Sequence, residues 1–195
     1  MTAIILTYSL IIFVIFPSPY RLFCFLGMLF SSGGDILLAK WEPIMTAFLK
    51  KHSFEAGTMS FIIAHCLYSA AFIIRQRMSG TMFFNYGTVL GTFIFIILVT
   101  FLFWLNKTNS SGSNIQLLIL CVVYLAFICF DCTSVLSCSA ASGGWLWLSG
   151  IGAISFLISD VFIAVDFVGG RHINNKDQLI WWFYPIGQIL LLTGI

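Results

Sequence analysis

Four ionisable side chains interrupt long apolar runs in this sequence: Asp35, His65, Asp131 and Asp160. A titratable group in hydrocarbon is costly, so each is a functional candidate. Two carboxyls close together in a low-dielectric site cannot easily both ionise, and one then keeps its proton. That places an acid beside a base. An ionised carboxylate can stabilise an oxocarbenium-like cation or direct a water onto it, and His65 could relay the proton or orient one carboxylate. No Ser–His pair or base-activated thiol is evident, which leaves acyl-enzyme chemistry with little support. Asp35, His65 and Asp160 with a water would also make a three-ligand zinc set. However, no second histidine lies within an apolar run, and zinc favours His and Cys. No metal or other cofactor is therefore expected.

The elements that must position these groups follow from composition. Hydrophobic residues make up 60% of the 195 and charged residues 8%, and there are 21 Phe. A soluble domain carries about 25% charged residues, so this chain cannot cover a water-exposed surface. A mean hydropathy of +1.04 agrees. The net charge of +2 gives no concentrated basic face for a nucleic acid. A spanning helix needs roughly 20 apolar residues. Runs between polar or Gly/Pro-rich breaks predict an all-α polytopic transmembrane bundle of seven helices in a single membrane domain. The predicted spans are 2–16, 20–39, 55–74, 82–105, 114–138, 144–166 and 178–195. Residues 1–16 lack a basic leader and a cleavage site, and read as a short retained span. The six cysteines lie in or at the ends of apolar runs and read as small hydrophobes.

Loops 40–54, 106–113 and 167–177 hold Lys40, Lys50, Lys51, Lys107, Arg171 and Lys176. Loops 17–19 and 75–81 with their flanks hold Arg21, Arg75 and Arg77. That excess places the first set, and the N-terminus, on the cytoplasmic side. Asn106-Lys107-Thr108 and Asn109-Ser110-Ser111 are glycosylation sequons on that same side, and sugar on either would invert the topology. On this layout Asp35 and Asp160 both lie roughly 7–9 Å below one interface. Tyr184 is at similar depth, His65 and Gln188 are one or two turns deeper, and Asp131 is near the opposite rim. His52, His172, Asp166 and Asp177 read as loop residues. Ser31, Gly27 and Gly34 accompany Asp35, while Gly152, Ser155 and Ser159 accompany Asp160. Small-residue helix packing alone accounts for the glycines and serines. A structural polar clamp is the competing account of the acids, and Tyr68 and Tyr184 suit packing as well as a site.

Four blocks give the chain a resemblance to the YhhN family of polytopic membrane proteins, which includes the animal lysoplasmalogenases. Gly27-Met-Leu-Phe-Ser-Ser-Gly-Gly-Asp35 resembles the family's Gly-x-Leu-Phe-Ser-x-x-Gly-Asp block, and Ala64-His65-Cys-Leu-Tyr68 its Ala-His-x-x-Tyr block. Gly152-Ala-Ile-Ser-Phe-Leu-Ile-Ser-Asp160 resembles Gly-Ala-x-x-Phe-x-x-Ser-Asp, and Tyr184-Pro-Ile-Gly-Gln188 the closing Tyr-x-x-x-Gln. The resemblance implies hydrolysis of the vinyl ether bond of lysoplasmalogens, giving a fatty aldehyde and glycerophosphocholine or glycerophosphoethanolamine. By motif, Asp35 and Asp160 would be the catalytic carboxylates, with His65 assisting. Ser31, Tyr68, Ser159, Tyr184 and Gln188 would shape the lysophospholipid site. Family members usually have eight helices, and the count here lacks the first. Pro185 stands at a commonly aromatic position and predicts a kink. The host membrane would be the endoplasmic reticulum in a eukaryote or the inner membrane in a bacterium. Two alternatives remain open at this point: a lipid- or proton-coupled carrier using the same acids as a relay, and a metal-dependent lipid hydrolase.

Overall fold

A computed structural model describes residues 2–39, 52–109, 115–170 and 174–194. Among these residues the regular structure is seven α-helices and no strand: α1 Thr2–Ile15, α2 Pro19–Leu38, α3 Ser53–Met78, α4 Tyr86–Thr108, α5 Ile115–Ser142, α6 Leu146–Phe167 and α7 Lys176–Thr193. The all-α reading therefore holds. Five helices, α2 to α6, are long and apolar enough to cross a membrane, so this is an integral membrane protein. The other two are helical as expected but fall outside that group. The 14 residues of α1 reach about 21 Å against a hydrocarbon core of about 30 Å, and α7 carries Lys176, Asp177, Gln178 and Gln188. The expected loop residues Lys40, Lys50, Lys51, Arg171 and His172 lie outside the described residues.

Local chemistry sets the helix ends. Ser18 caps α2 by accepting from the Arg21 amide at 3.3 Å, with Pro19 in the first turn, where a missing N–H costs nothing. Asn85 and Thr88 form a reciprocal capping box, so α4 begins at Tyr86 rather than at the expected 82. The α5–α6 turn needs left-handed backbone at two successive residues, Gly143 at φ +66° and Gly144 at φ +59°, and it carries α5 past the expected end at 138. Arg75 and Arg77 stand in the last turn of α3, not in a loop.

The described chain falls into two compact units, Met1–Arg75 and Gln76–Ile195. Within the first, α1 and α2 are antiparallel: Thr2 meets Asp35 and the Phe13 ring stacks on Phe25 at 6.2 Å. Helices α2 and α3 also run oppositely, as Tyr68 abuts Gly27, Ser60 bonds the Phe30 carbonyl at 2.7 Å, and Phe61 abuts Gly34. A methyl group on Gly27 would lie 2.7 Å from Tyr68 Cε1, and one on Gly34 2.7 Å from Phe61 Cε2. The glycines are therefore the slots into which the two rings fit.

The second unit continues the antiparallel pattern. Gly91 of α4 packs on Thr133 of α5, and Ser139 of α5 donates to the Leu146 carbonyl at 2.7 Å. In α6 and α7, Ser149 donates to the Leu191 carbonyl and Ser155 to that of Phe183, each at 2.9 Å. Between those bonds Gly152 faces Gly187 so closely that a methyl on Gly152 would stand 2.7 Å from the Gly187 carbonyl oxygen. α7 continues through Pro185, and the Ser155 bond falls in the turn that the proline deprives of a donor. Polarity is inverted relative to a soluble fold. Val89, Phe93, Ile96, Ile97 and Phe103 of α4 are exposed while Gly87, Thr88 and Gly91 are buried. Trp145 at one end and Trp181 and Trp182 towards the other are exposed, as in interfacial aromatic belts.

Candidate functional site

In the first unit, Asp35 lies near the C-terminal end of α2, half-buried, and Thr2 Oγ1 donates to its Oδ2 at 2.8 Å. His65 sits about 18 Å along α3 and is buried, as are Ser31 and Tyr68. The α2–α3 register places His65 level with Ser31, between the Gly27–Tyr68 and Gly34–Phe61 contacts. The His65 and Tyr68 rings meet edge-on at 6.4 Å, and the Tyr68 hydroxyl reaches Met28 Sδ at 3.6 Å. Gly27 and Gly34 thus let the Tyr68 and Phe61 rings of α3 come close to α2 on either side of the His65 level. Thr2 was not foreseen as the partner of Asp35. Its only signal is a hydroxyl at the start of an apolar helix.

In the second unit, Asp160 stands about 10 Å from the C-terminal end of α6. Tyr124 of α5 donates its hydroxyl to Asp160 Oδ2 at 2.7 Å. Antiparallel packing puts Tyr124 and Tyr184 about 12–14 Å in from that same end, so three polar side chains from three helices share one level. The Tyr184 ring lies against Phe156 at 5.1 Å, one turn before Asp160. Gln188, fully buried, donates to the Tyr184 hydroxyl over a long 3.5 Å. Tyr184 and Asp131 both stand close enough to Tyr124 to act on its hydroxyl electrostatically. Ser159 is fully buried, and its hydroxyl turns back to the Phe156 carbonyl at 2.6 Å.

Asp131 is not at an aqueous rim. It is 4% exposed, midway along α5, and begins a stretch, 131–139, in which every residue is buried. That stretch holds Thr133, Ser134, Ser137 and Ser139 as well, so the second half of α5 is the enclosed polar part of the unit. The expected apolar middle of the chain concealed both Tyr124 and this segment. At its far end, Gln76 donates to Ser137 Oγ at 3.1 Å and to the Met82 carbonyl at 2.6 Å, while Asn85 reaches the Ser137 carbonyl at 3.0 Å. The 79–85 loop is thereby tied onto α5. At the opposite end, Asn109 donates to the Val168 carbonyl at 2.9 Å, and Lys176 pairs with Asp166. The C-terminal ends of α4 and α6 and the start of α7 therefore lie at one end of this unit. Asp166 and Lys176 fall at helix ends, not in a loop. Among the described residues, no three His, Cys, Asp or Glu side chains gather at ligand spacing.

Antiparallel apolar helices with carboxylates, phenols and amides turned inward define a polytopic helical membrane protein with a polar interior. Comparison of sequences goes one step further. The chain matches the YhhN family over residues 1–195 and belongs to that family. No solved structure matches it.

Proposed function

We propose that the protein hydrolyses the vinyl ether bond of lysoplasmalogens within the membrane, releasing a fatty aldehyde and a glycerophospho-alcohol. The observation that carries this reading is Asp160. In a chain of the YhhN family, it is a membrane-depth carboxyl held by a phenol at 2.7 Å, with Tyr184 and Gln188 at hand. Hydrolysis of an enol ether needs little more than a proton donor and a stabilised cation. One carboxyl, Asp35 in this reading, delivers a proton to the β-carbon of the C=C–O unit, and the π electrons form the new C–H bond. The resulting oxocarbenium is stabilised by carboxylate charge, which acts strongly where water is excluded. Asp160 takes a proton from the water that adds to the cationic carbon. The hemiacetal then collapses: its hydroxyl proton passes to Asp35, the C–O bond to glycerol breaks, and the leaving oxygen takes the proton held by Asp160, which restores both carboxyls. The sum is vinyl ether plus water giving aldehyde plus alcohol. His65 assists Asp35, with Ser31 and Tyr68 shaping its surroundings; Ser159, Tyr184 and Gln188 do the same for Asp160.

The depth of Asp160, about 10 Å from a helix end, suits a lipid whose reacting bond lies just under its headgroup. The test is aldehyde release by detergent-purified protein from a lysoplasmalogen and from its saturated alkyl-ether analogue, with and without chelator. Aldehyde from the vinyl ether alone, indifferent to chelator, supports the reading. Chelator-sensitive release would replace the carboxylate mechanism with a metal-dependent one. Absence of aldehyde with well-folded protein, together with lipid or proton flux in vesicles, would replace the hydrolase with a carrier.

A further inference from the structure

We propose that Tyr124 is the positioning residue of Asp160, its hydroxyl on Oδ2 fixing the plane in which the carboxyl meets the reacting water. The kinetic part of this inference rests on the function proposed above; the structural part does not. Three observations converge on it. The hydroxyl-to-carboxyl distance is 2.7 Å, between residues 36 apart in sequence on two successive helices. Tyr124 and Asp160 lie at one level of an antiparallel helix pair, so the bond runs across the α5–α6 interface. Lastly, Tyr124 stands within electrostatic reach of both Tyr184 and Asp131 as well as Asp160.

The geometry argues against a merely adhesive role. The α5–α6 interface is already fastened where Ser139 meets Leu146, at the far end of both helices. A carboxyl at the Asp160 level needs an orienting partner more than the interface needs another bond. An aspartate on an isolated helix has a broad terminal torsion, and a reacting water tolerates little of that freedom. A misplacement near 1 Å costs on the order of a hundredfold in rate.

Tyr124→Phe removes the hydroxyl and keeps the ring. With lysoplasmalogen as substrate, kcat should fall by about ten- to a hundredfold while KM changes by less than about threefold, since the phenol does not hold the lipid. A second readout uses no substrate. The infrared carboxyl band that disappears in Asp160→Asn should shift in Tyr124→Phe. If Tyr124→Phe does not fold, fluorotyrosine at position 124 keeps ring and hydroxyl while changing donor strength, and the same band should shift. An unshifted band overturns the proposal, as does kcat within twofold of wild type. A rise in KM with kcat unchanged would make Tyr124 a substrate contact, which also overturns it. If the wild type releases no aldehyde, the function proposed above fails, and the infrared band still decides this inference.

Discussion

Gly152→Ala is a one-carbon test of how α6 and α7 hold each other. An alanine in a helix interior is normally favoured over glycine by roughly 1 kcal/mol, so the substitution starts with an advantage. Against it, the new methyl would lie 2.7 Å from the Gly187 carbonyl oxygen and 2.8 Å from the Leu190 carbonyl carbon, and closer still to the Leu191 amide. These neighbours are backbone and cannot rotate aside. The helices must part by several tenths of an ångström, and such overpacking costs about 1–3 kcal/mol. The crossing is flanked by the Ser149–Leu191 and Ser155–Phe183 bonds, each 2.9 Å. Interhelical bonds in membranes are worth about 0.6 kcal/mol each, so stretching both adds about 1 kcal/mol. The net effect is a destabilisation of about 1–3 kcal/mol after the propensity gain, read as a lower Tm in detergent. Gly150 supplies the control on the same helix. Its methyl would meet nothing nearer than Ser139 Oγ at 3.3 Å and Leu136 Cδ2 at 3.4 Å, so Gly150→Ala should keep or raise the Tm. Equal Tm values for the two variants would refute the close backbone crossing. Since Tyr184 and Gln188 flank Gly187 on α7, activity should fall with Gly152→Ala and not with Gly150→Ala.

Three further outcomes are expected. Asp35→Asn should abolish aldehyde release while circular dichroism and Tm stay near wild type, and retained turnover would remove Asp35 from the mechanism. Ser137→Ala deprives buried Gln76 of its partner at 3.1 Å, which should cost about 1–3 kcal/mol in thermal or denaturant unfolding and free the 79–85 loop to proteolysis. Expression in a eukaryotic membrane should leave Asn106 and Asn109 without glycan, as glycosidase treatment and gel mobility would show; a glycan on either would reverse the orientation drawn from the Lys/Arg count.

Hydropathy and punctuation made most of the helices legible, because a bilayer permits few alternatives to a helix of spanning length. The end of α5 was harder to see. Ser137 and Ser139 read as the close of an apolar run, yet their hydroxyls are absorbed inside the unit and the helix continues through Ser142 to the glycine turn. The start of α4 was visible in the Asn85-x-x-Thr88 spacing, but the apolar Met82, Phe83 and Phe84 before it masked the cap. Asp160, Tyr184 and Gln188 could be singled out, since polar groups at membrane depth stand out against their neighbours. Tyr124 could not, because a tyrosine in an apolar run has the same pattern whether it packs or donates. Asp131 was misplaced because hydropathy along a helix says nothing about which stretch neighbouring helices surround.

The α6–α7 crossing also bears on how the protein is made. Helix α7, with Lys176, Asp177, Gln178, Gln188 and Pro185 among its 18 residues, has little affinity of its own for hydrocarbon. Two of its carbonyls, those of Phe183 and Leu191, take hydroxyl bonds from α6, and its glycine seats directly against the Gly152 backbone. Such a helix is best inserted as one arm of a hairpin, entering the bilayer with α6 already beside it. Biogenesis of this half of the molecule is then a concerted step for two helices. A lesion at Gly152 would show first as α7 left outside the membrane, before any loss of a folded product could be measured.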